Sequence, residues 1–123
     1  MTQQRGAMII TWGEPRPGVP NSKGLEVFAT ALGYYDELQK EGRISGYRVY
    51  ASTRRDRGVL VIEGELRELA QIQCEDESMK QLALGSAVVQ QLEVELCVGG
   101  SADDVTGFYT TAVTALAEAG LAT

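Results

Sequence analysis

The sequence predicts an α+β fold: an antiparallel sheet built in the order βαββαβ, followed by one extra C-terminal helix. Three observations predict it. Ala7 to Trp12 and Val59 to Ile62 are apolar on both alternating faces, as strands covered on two sides are. Arg54-Arg55-Asp56-Arg57-Gly58 carries Asp-x-Gly turn chemistry between two strand-like runs, so those runs pair as a hairpin. Helical periodicity fills the gaps before the hairpin, after it, and after the last strand.

Taken in order, Ala7-Met8-Ile9-Ile10-Thr11-Trp12 forms the first strand and Gly13 ends it. Gly13 to Asn21 holds all 3 prolines of the chain and two glycines, a composition that continues neither strand nor helix. Ser22 is the candidate N-cap of a helix reaching about Glu41, with Gly42 as its left-handed stop. Leu25, Phe28, Ala29, Leu32, Tyr35 and Leu38 make its approximate apolar stripe. Ile44 to Thr53 and Gly58 to Gly64 form the hairpin strands. Glu65 to Gln73 gives a first helical piece, Cys74 and Glu75 interrupt it, and Asp76 caps a second piece ending near Gly85 to Ala87.

Val88 to Val98 reads as the last strand. Leu92, Val94, Leu96 and Val98 share one face, and Gln91, Glu93, Glu95 and Cys97 the other. Gly99-Gly100 breaks this strand, and Ser101 with Asp104 resembles a capping box with Asp in place of Glu. Val105, Phe108, Tyr109, Ala112, Val113 and Leu116 then fall at helical spacing, an apolar face that requires docking on this subunit or another. A single domain over residues 1–123 follows, with a core at about 7–98 and a C-terminal helix at about 103–119.

Eleven Lys and Arg against seventeen Asp and Glu give a net charge of -6, which leaves phosphate neutralisation short of cations. Neither nucleic acid nor an anionic membrane surface is expected as a partner. The longest apolar runs, Ala7 to Ile10 and Val59 to Ile62, fall far short of the roughly 20 residues of a membrane span, so the protein is expected to be cytoplasmic. Cys74 and Cys97 form no CxxC pair and no histidine accompanies them, which favours reduced structural thiols and no metal site. GxGxxG, Walker and nucleophile-elbow motifs do not occur in the sequence.

On topology, on the doubly apolar strands and on Tyr34-Tyr35-Asp36-Glu37-Leu38-Gln39-Lys40-Glu41-Gly42-Arg43-Ile44, the chain resembles the ferredoxin-like dimeric α+β barrel superfamily. Trp12-Gly13-Glu14-Pro15-Arg16-Pro17-Gly18 is similar to a segment of uncharacterised bacterial members. The resemblance implies a homodimer with two sheets face to face and helices outside. The superfamily includes cofactor-free monooxygenases, haem-binding and haem-degrading enzymes, muconolactone-type isomerases, proteins with a His and Asp pair, and members without known activity. The chain has 0 histidines, so histidine haem ligation, a His/Asp dyad and a histidine base are excluded. No cofactor is expected. What remains is chemistry in which a substrate supplies its own carbanion and Tyr, Trp, Arg and carboxylates orient it.

Trp12, Arg16 and Tyr34 or Tyr35 are the residues that can converge at one mouth of a sheet/helix cleft, with aromatic walls and one cation for a planar acidic ligand. Packing alone is the commoner reason for burying Trp12 and one tyrosine, with the other tyrosine half-exposed and Arg16 solvated. Tyr47 and Tyr50 point to opposite sheet faces, so at most one joins this group, and Tyr47 is carried as the candidate. Glu63 follows an apolar run and, if interior, needs a partner such as Arg48. Glu93 and Glu95 project together and suit protection of an edge strand. Arg54, Arg55 and Arg57 suit a solvated loop.

Three functions are compatible with this pattern. One is a homodimer whose cleft binds a small apolar or aromatic acidic ligand, or none. The second is a cofactor-independent monooxygenase or isomerase of the dimeric α+β barrel type. The third is an interaction module docking through Val105 to Leu116.

Overall fold

The structure is a computed structural model that describes residues 4–121. Its elements in chain order are β1 (Arg5–Trp12), α1 (Asn21–Lys40), β2 (Gly46–Ala51), β3 (Gly58–Glu65), α2 (Leu66–Gln73), α3 (Asp76–Val88), β4 (Glu93–Val98) and α4 (Ala102–Glu118). The strands form one antiparallel sheet in the order β2-β3-β1-β4. This is the ferredoxin-like fold with a helix added after it.

The register explains why β1 and β3 are apolar on both sides. Ile10 lies opposite Leu60 and Val94, and Met8 opposite Ile62 and Leu96, so these side chains share one face. Helices α1, α2 and α3 cover that face, and Met8, Ile10, Leu60 and Ile62 are buried with Tyr35, Leu38, Ile44, Leu69 and Ile72 as the core. Ala7, Ile9, Val59 and Val61 occupy the opposite face, where they remain half-buried. Arg48 and Glu63 lie on this second face too, with their charged ends 3.6 Å apart. Glu63 therefore points away from the helix-covered interior that was one expectation for it.

Local chemistry sets the helix ends. Gly42 takes φ of 76°, its N–H donates to Gln39 O at 3.0 Å, and the Arg43 N–H reaches Leu38 O at 2.9 Å. These are the paired bonds of a Schellman stop, and Gly120 and Leu121 repeat them at the end of α4. Glu65 caps α2 by accepting the Glu68 N–H at 2.9 Å. Ser101 caps α4, accepting the Asp104 N–H at 3.1 Å while its hydroxyl donates to that residue's carboxylate at 3.0 Å.

Several boundaries differ from the sequence reading. Helix α1 starts at Asn21 after Pro20, so Ser22 lies within its first turn and no side chain caps it. Proline suits the place because its fixed φ is already that of extended chain entering a helix. Asp76 opens α3 and the N-cap position belongs to Glu75. Strand β2 is shorter than Ile44 to Thr53: Ile44 drops into the core and Ser52 starts the turn. The Ser52 hydroxyl, rather than Asp56, holds that turn by accepting the Arg54 and Arg55 N–H groups at 3.2 Å.

The largest difference lies before β4. Val88 ends α3, Val89 bridges to Pro15, and Gln91 takes φ of 55°, a left-handed conformation that turns the chain before Glu93. The Pro/Gly loop is laced to this segment through Gly13 N–H to Gln90 O, Gln90 N–H to Glu14 O, both 2.8 Å, and Arg16 N–H to Val88 O, 2.9 Å. Val88 to Leu92, expected as the first part of the last strand, thus pairs with a loop instead of the sheet. Helix α4 leans on the end of β4 and buries none of its side chains; Phe108, Tyr109, Val113 and Leu116 are exposed. No helix among the described residues is long and apolar enough to cross a membrane.

One ion-pair cluster ties the helix layer to the chain leaving α1. The Arg43 guanidinium donates through Nε to Glu68 at 2.6 Å and through its two terminal nitrogens to both Glu75 oxygens at 2.9 and 2.6 Å. The hydrogen bonds from Arg43, reinforced by its charge, hold the Glu75 carboxyl below the usual carboxylate range. A depressed carboxylate stabilises the fold above its unfolded pKa, and that contribution disappears as pH falls through the folded value. Arg43→Gln is expected to lower the thermal unfolding midpoint by a few degrees at neutral pH. The gap from wild type should hold down to about pH 5 and close below about pH 4. A gap independent of pH in melts from pH 7 to 3 would remove this role from the cluster.

Candidate functional site

Helix α1 approaches the sheet closely only in its second half. Tyr35 and Leu38 are buried, Phe28 is half-buried, and Leu25, expected on the apolar stripe, is 68% exposed. Over the other end of the sheet the helices carry too little bulk to fill the space. A cavity of about 660 Å³ results, within the range typical of small-molecule sites. Its floor is Ile10, Trp12, Val49 and Leu60 from the sheet, and its walls are Phe28, Ala31 and Tyr35 of α1 with Leu82, Gly85 and Val88 of α3. Pro15, Val19 and Pro20 of the laced loop form its rim. No charged side chain is among the described residues that line it.

Trp12 is set by its neighbours on both sides. Its ring packs against Phe28 with centroids 5.8 Å apart and planes tilted by 55°, a favourable aromatic geometry. Beneath it, opposite in register, is Gly58. A Cβ at Gly58 would overlap the indole, 2.8 Å from Cε2, and would stand 2.9 Å from the Tyr50 carbonyl oxygen. Gly58 is thus the seat of the tryptophan as well as the start of β3.

The tyrosines separate. Tyr35 lines the cavity, and burial, with Tyr34 beside it, pushes its phenol well above the ordinary value, so it stays protonated at any physiological pH. Tyr34 turns to α3 and shares a 2.6 Å hydrogen bond with the buried Ser78 hydroxyl; burial is also the main cause that raises its pKa. Tyr47 stacks near Tyr35 with centroids 6.2 Å apart, but its hydroxyl donates to Asp36 at 2.6 Å, outside the cavity lining. Arg16 is exposed, and its Nε donates to the Ser86 carbonyl at 2.6 Å. Of the residues predicted from sequence, Trp12 and Tyr35 come together at the cavity; Arg16, Tyr34, Tyr47 and Glu63 do not line it. Arg16 is held off because the lacing of its loop to Val88 aims it along the end of α3.

Gln81 is the cavity residue that sequence reasoning missed. It is 5% exposed, its Nε2 donates to Glu77 at 2.9 Å, and its Oε1 has no hydrogen-bond partner among the described residues. A buried acceptor left this way costs about 1–3 kcal/mol. The signal was present in α3, where Ser78, Gln81, Gly85 and Val88 recur at helical spacing and form the inward face. Met79 and Leu84, which a hydropathy reading would turn inward, are 58% and 39% exposed.

A second cleft, of about 490 Å³, lies at the other end of α1 among Arg5, Arg43, Ser45, Glu65 and Glu68. Its polar groups already satisfy one another: Arg5 donates to Ser45, Arg43 to Glu68, and Glu65 caps α2. Among the described residues no three His, Cys, Asp or Glu side chains gather as a metal site would require. Cys74 and Cys97 are free thiols.

Gly58→Ala is expected to destabilise the protein by about 1–3 kcal/mol, because the Tyr50 carbonyl on the neighbouring strand cannot yield. The displaced indole should shift the tryptophan emission maximum. An unchanged emission spectrum in a variant of wild-type stability would show that Trp12 is not seated on this glycine.

No protein-family model matches the sequence, and no curated protein does either. Solved structures match its fold. A conserved protein of unknown function from Bacteroides thetaiotaomicron, described as a possible oxidoreductase, is 13% identical with a TM-score of 0.60, the match covering 80% of this chain and 100% of that one. A dimeric ferredoxin-like protein of unknown function from Thermobifida fusca is 13% identical with a TM-score of 0.60, over 80% of this chain and 95% of that one. A dimeric protein of unknown function with a ferredoxin-like fold from Bacteroides fragilis is 13% identical with a TM-score of 0.57, over 76% and 96%. At this identity the likeness is one of fold.

Proposed function

We propose that the protein binds a small apolar or aromatic molecule in the cavity between its sheet and helices α1 and α3. The observation that carries this reading is an open volume of about 660 Å³ lined mostly by apolar and aromatic side chains, with Asn21 and Gln81 as its polar ones. Folding to fill such a space would be favourable, so an opening of this size in a small domain points to an occupant. With no cation on the lining, nothing there neutralises a carboxylate, and the reading keeps the apolar or aromatic part of the sequence expectation while dropping the acidic part. Burying about 200 Å² of ligand surface at about 25 cal/mol/Å² supplies about 5 kcal/mol toward binding, to be set against the cost of immobilising the ligand.

The neutral probe N-phenyl-1-naphthylamine tests it. Saturable fluorescence enhancement at one probe per protomer is expected. Gly24 lines the cavity and a Cβ there meets no atom within 4 Å, so Gly24→Leu fills the space while raising helix propensity. This variant should bind the probe at least about tenfold more weakly without loss of stability. Equal binding by wild type and Gly24→Leu would place the probe elsewhere and end the proposal.

The same reading takes the working unit to be a homodimer. The open sheet face presents Ile9, Val59 and Val61 half-buried in a lone protomer, with Tyr50 55% exposed, and two of the fold neighbours are described as dimeric. Native mass spectrometry at micromolar concentration should give twice the 13.3 kDa chain mass. Val61→Glu, which buries a charge at the centre of that face, should give the monomer; a wild-type monomer would remove the dimer from the proposal.

Of the second reading, a cofactor-independent monooxygenase or isomerase, one observation favours the first half: the fold neighbour from Bacteroides thetaiotaomicron is described as a possible oxidoreductase. Tyr35 stays protonated, so it would orient a substrate that ionises by itself and would not act as the base.

A further inference from the structure

The sheet face turned away from the helices is graded in charge from one edge to the other. One row across it runs Arg48, Val61, Ile9 and Glu95, from the edge strand β2 to the edge strand β4. The next row runs from Tyr50 through Val59 and Thr11 to Glu93. The middle of the face is half-buried and mostly apolar, while Arg48 on one edge and Glu93 and Glu95 on the other are exposed. Arg48 meets Glu63 at 3.6 Å and still has 67% of its side chain accessible. Neither Glu93 nor Glu95 forms an ion pair among the described residues. Three strand spacings, about 14 Å, separate β2 from β4, so Arg48 does not reach these carboxylates within its own chain.

Two copies close this face on itself about a two-fold axis in one of two ways. An axis across the strands lays β2 over the partner's β2, which sets Arg48 against Arg48 and Glu95 against Glu95. An axis along the strands lays β2 over the partner's β4 and keeps the rows level, which sets Arg48 against Glu95 twice in one interface and Val61 against Ile9. Sheets packed at about 30° slide their outer strands past each other by about one residue, a distance an arginine side chain spans.

We infer that the open face binds a second copy of the chain with the two-fold axis along the strands, and that Arg48 pairing with Glu95 of the partner subunit selects this arrangement. This rests on the homodimer reading and goes beyond it by naming which edges meet. Val59, Val61 and Ile9 supply attraction common to both arrangements, so the edge charges carry the choice between them.

Charge reversal in the full chain tests it, with the dimer dissociation constant read by sedimentation velocity and dimer composition by native mass spectrometry. Arg48→Glu and Glu95→Arg should each weaken the dimer at least about tenfold, because each sets like charges together at two symmetric places. Mixed in equal amounts, the two variants should form a mixed dimer of near wild-type affinity, since every reversed charge then meets its opposite. Single variants that dimerise as wild type does would overturn the inference and leave the homodimer standing, because the other arrangement holds like charges together before and after reversal. Weakening that mixing does not repair would overturn it too, since a defect within one protomer is not cured by the other. A wild-type monomer would overturn both the inference and the homodimer reading.

Discussion

Everything in this molecule depends on β1 lying between β3 and β4. A central strand paired on both sides spends its backbone groups on the sheet, so only its side chains remain to meet other layers. Met8 and Ile10 meet the helices, and Ile9 and Ala7 face the other way. The helix layer covers the first pair completely at the Tyr35 and Leu38 end of α1, and incompletely toward Trp12. The cavity is thus a consequence of how α1 is loaded: Tyr35 and Leu38 buried at one end, Gly24 and a largely exposed Leu25 at the other, both on the lining.

Two sets of polar contacts keep this uneven layer from collapsing. Arg43 joins the end of α1 to α2 and to the turn before α3, and Tyr34 joins α1 to α3 through Ser78. Both lie at the closed end. At the other end the backbone bonds between the Pro/Gly loop and Val88 to Gln90 hold the rim. The three prolines lower the entropy of the unfolded loop, so a rim without secondary structure of its own costs less to order. Helices clamped at one end and a loop laced at the other leave an opening with fixed walls, which is what selective binding of a small apolar molecule requires.

The order of the elements was legible because each left a local mark: the two-sided strands, Gly42 at its stop, the glycine-bounded hairpin and the Ser101 cap. Trp12 and Tyr35 were legible as site candidates because large aromatics near a strand end and a helix face have few other places to go. Arg16 was not. Its position depends on hydrogen bonds to residues 70 and 72 positions away, and no local pattern carries such information. The same tertiary contact sets the start of β4 at Glu93 instead of Val88, because the loop recruits the backbone of Val88 to Gln90. Ser52 was passed over for a different reason: Asp56 offered equivalent turn chemistry, and only the geometry of the closed hairpin separates them.

Helix α3 is where local preference and tertiary position disagree most. It buries Ser78 and Gln81 and exposes Met79 and Leu84, the reverse of what transfer free energies favour. The observed orientation keeps Gly85 and Gln81 on the lining, satisfies Ser78 through Tyr34, and leaves one oxygen unsatisfied. Natural sequences concentrate such conflicts at functional sites, since a residue chosen for a ligand is rarely the one that packs best without it. The cost at Gln81 is of the same size as one hydrogen bond.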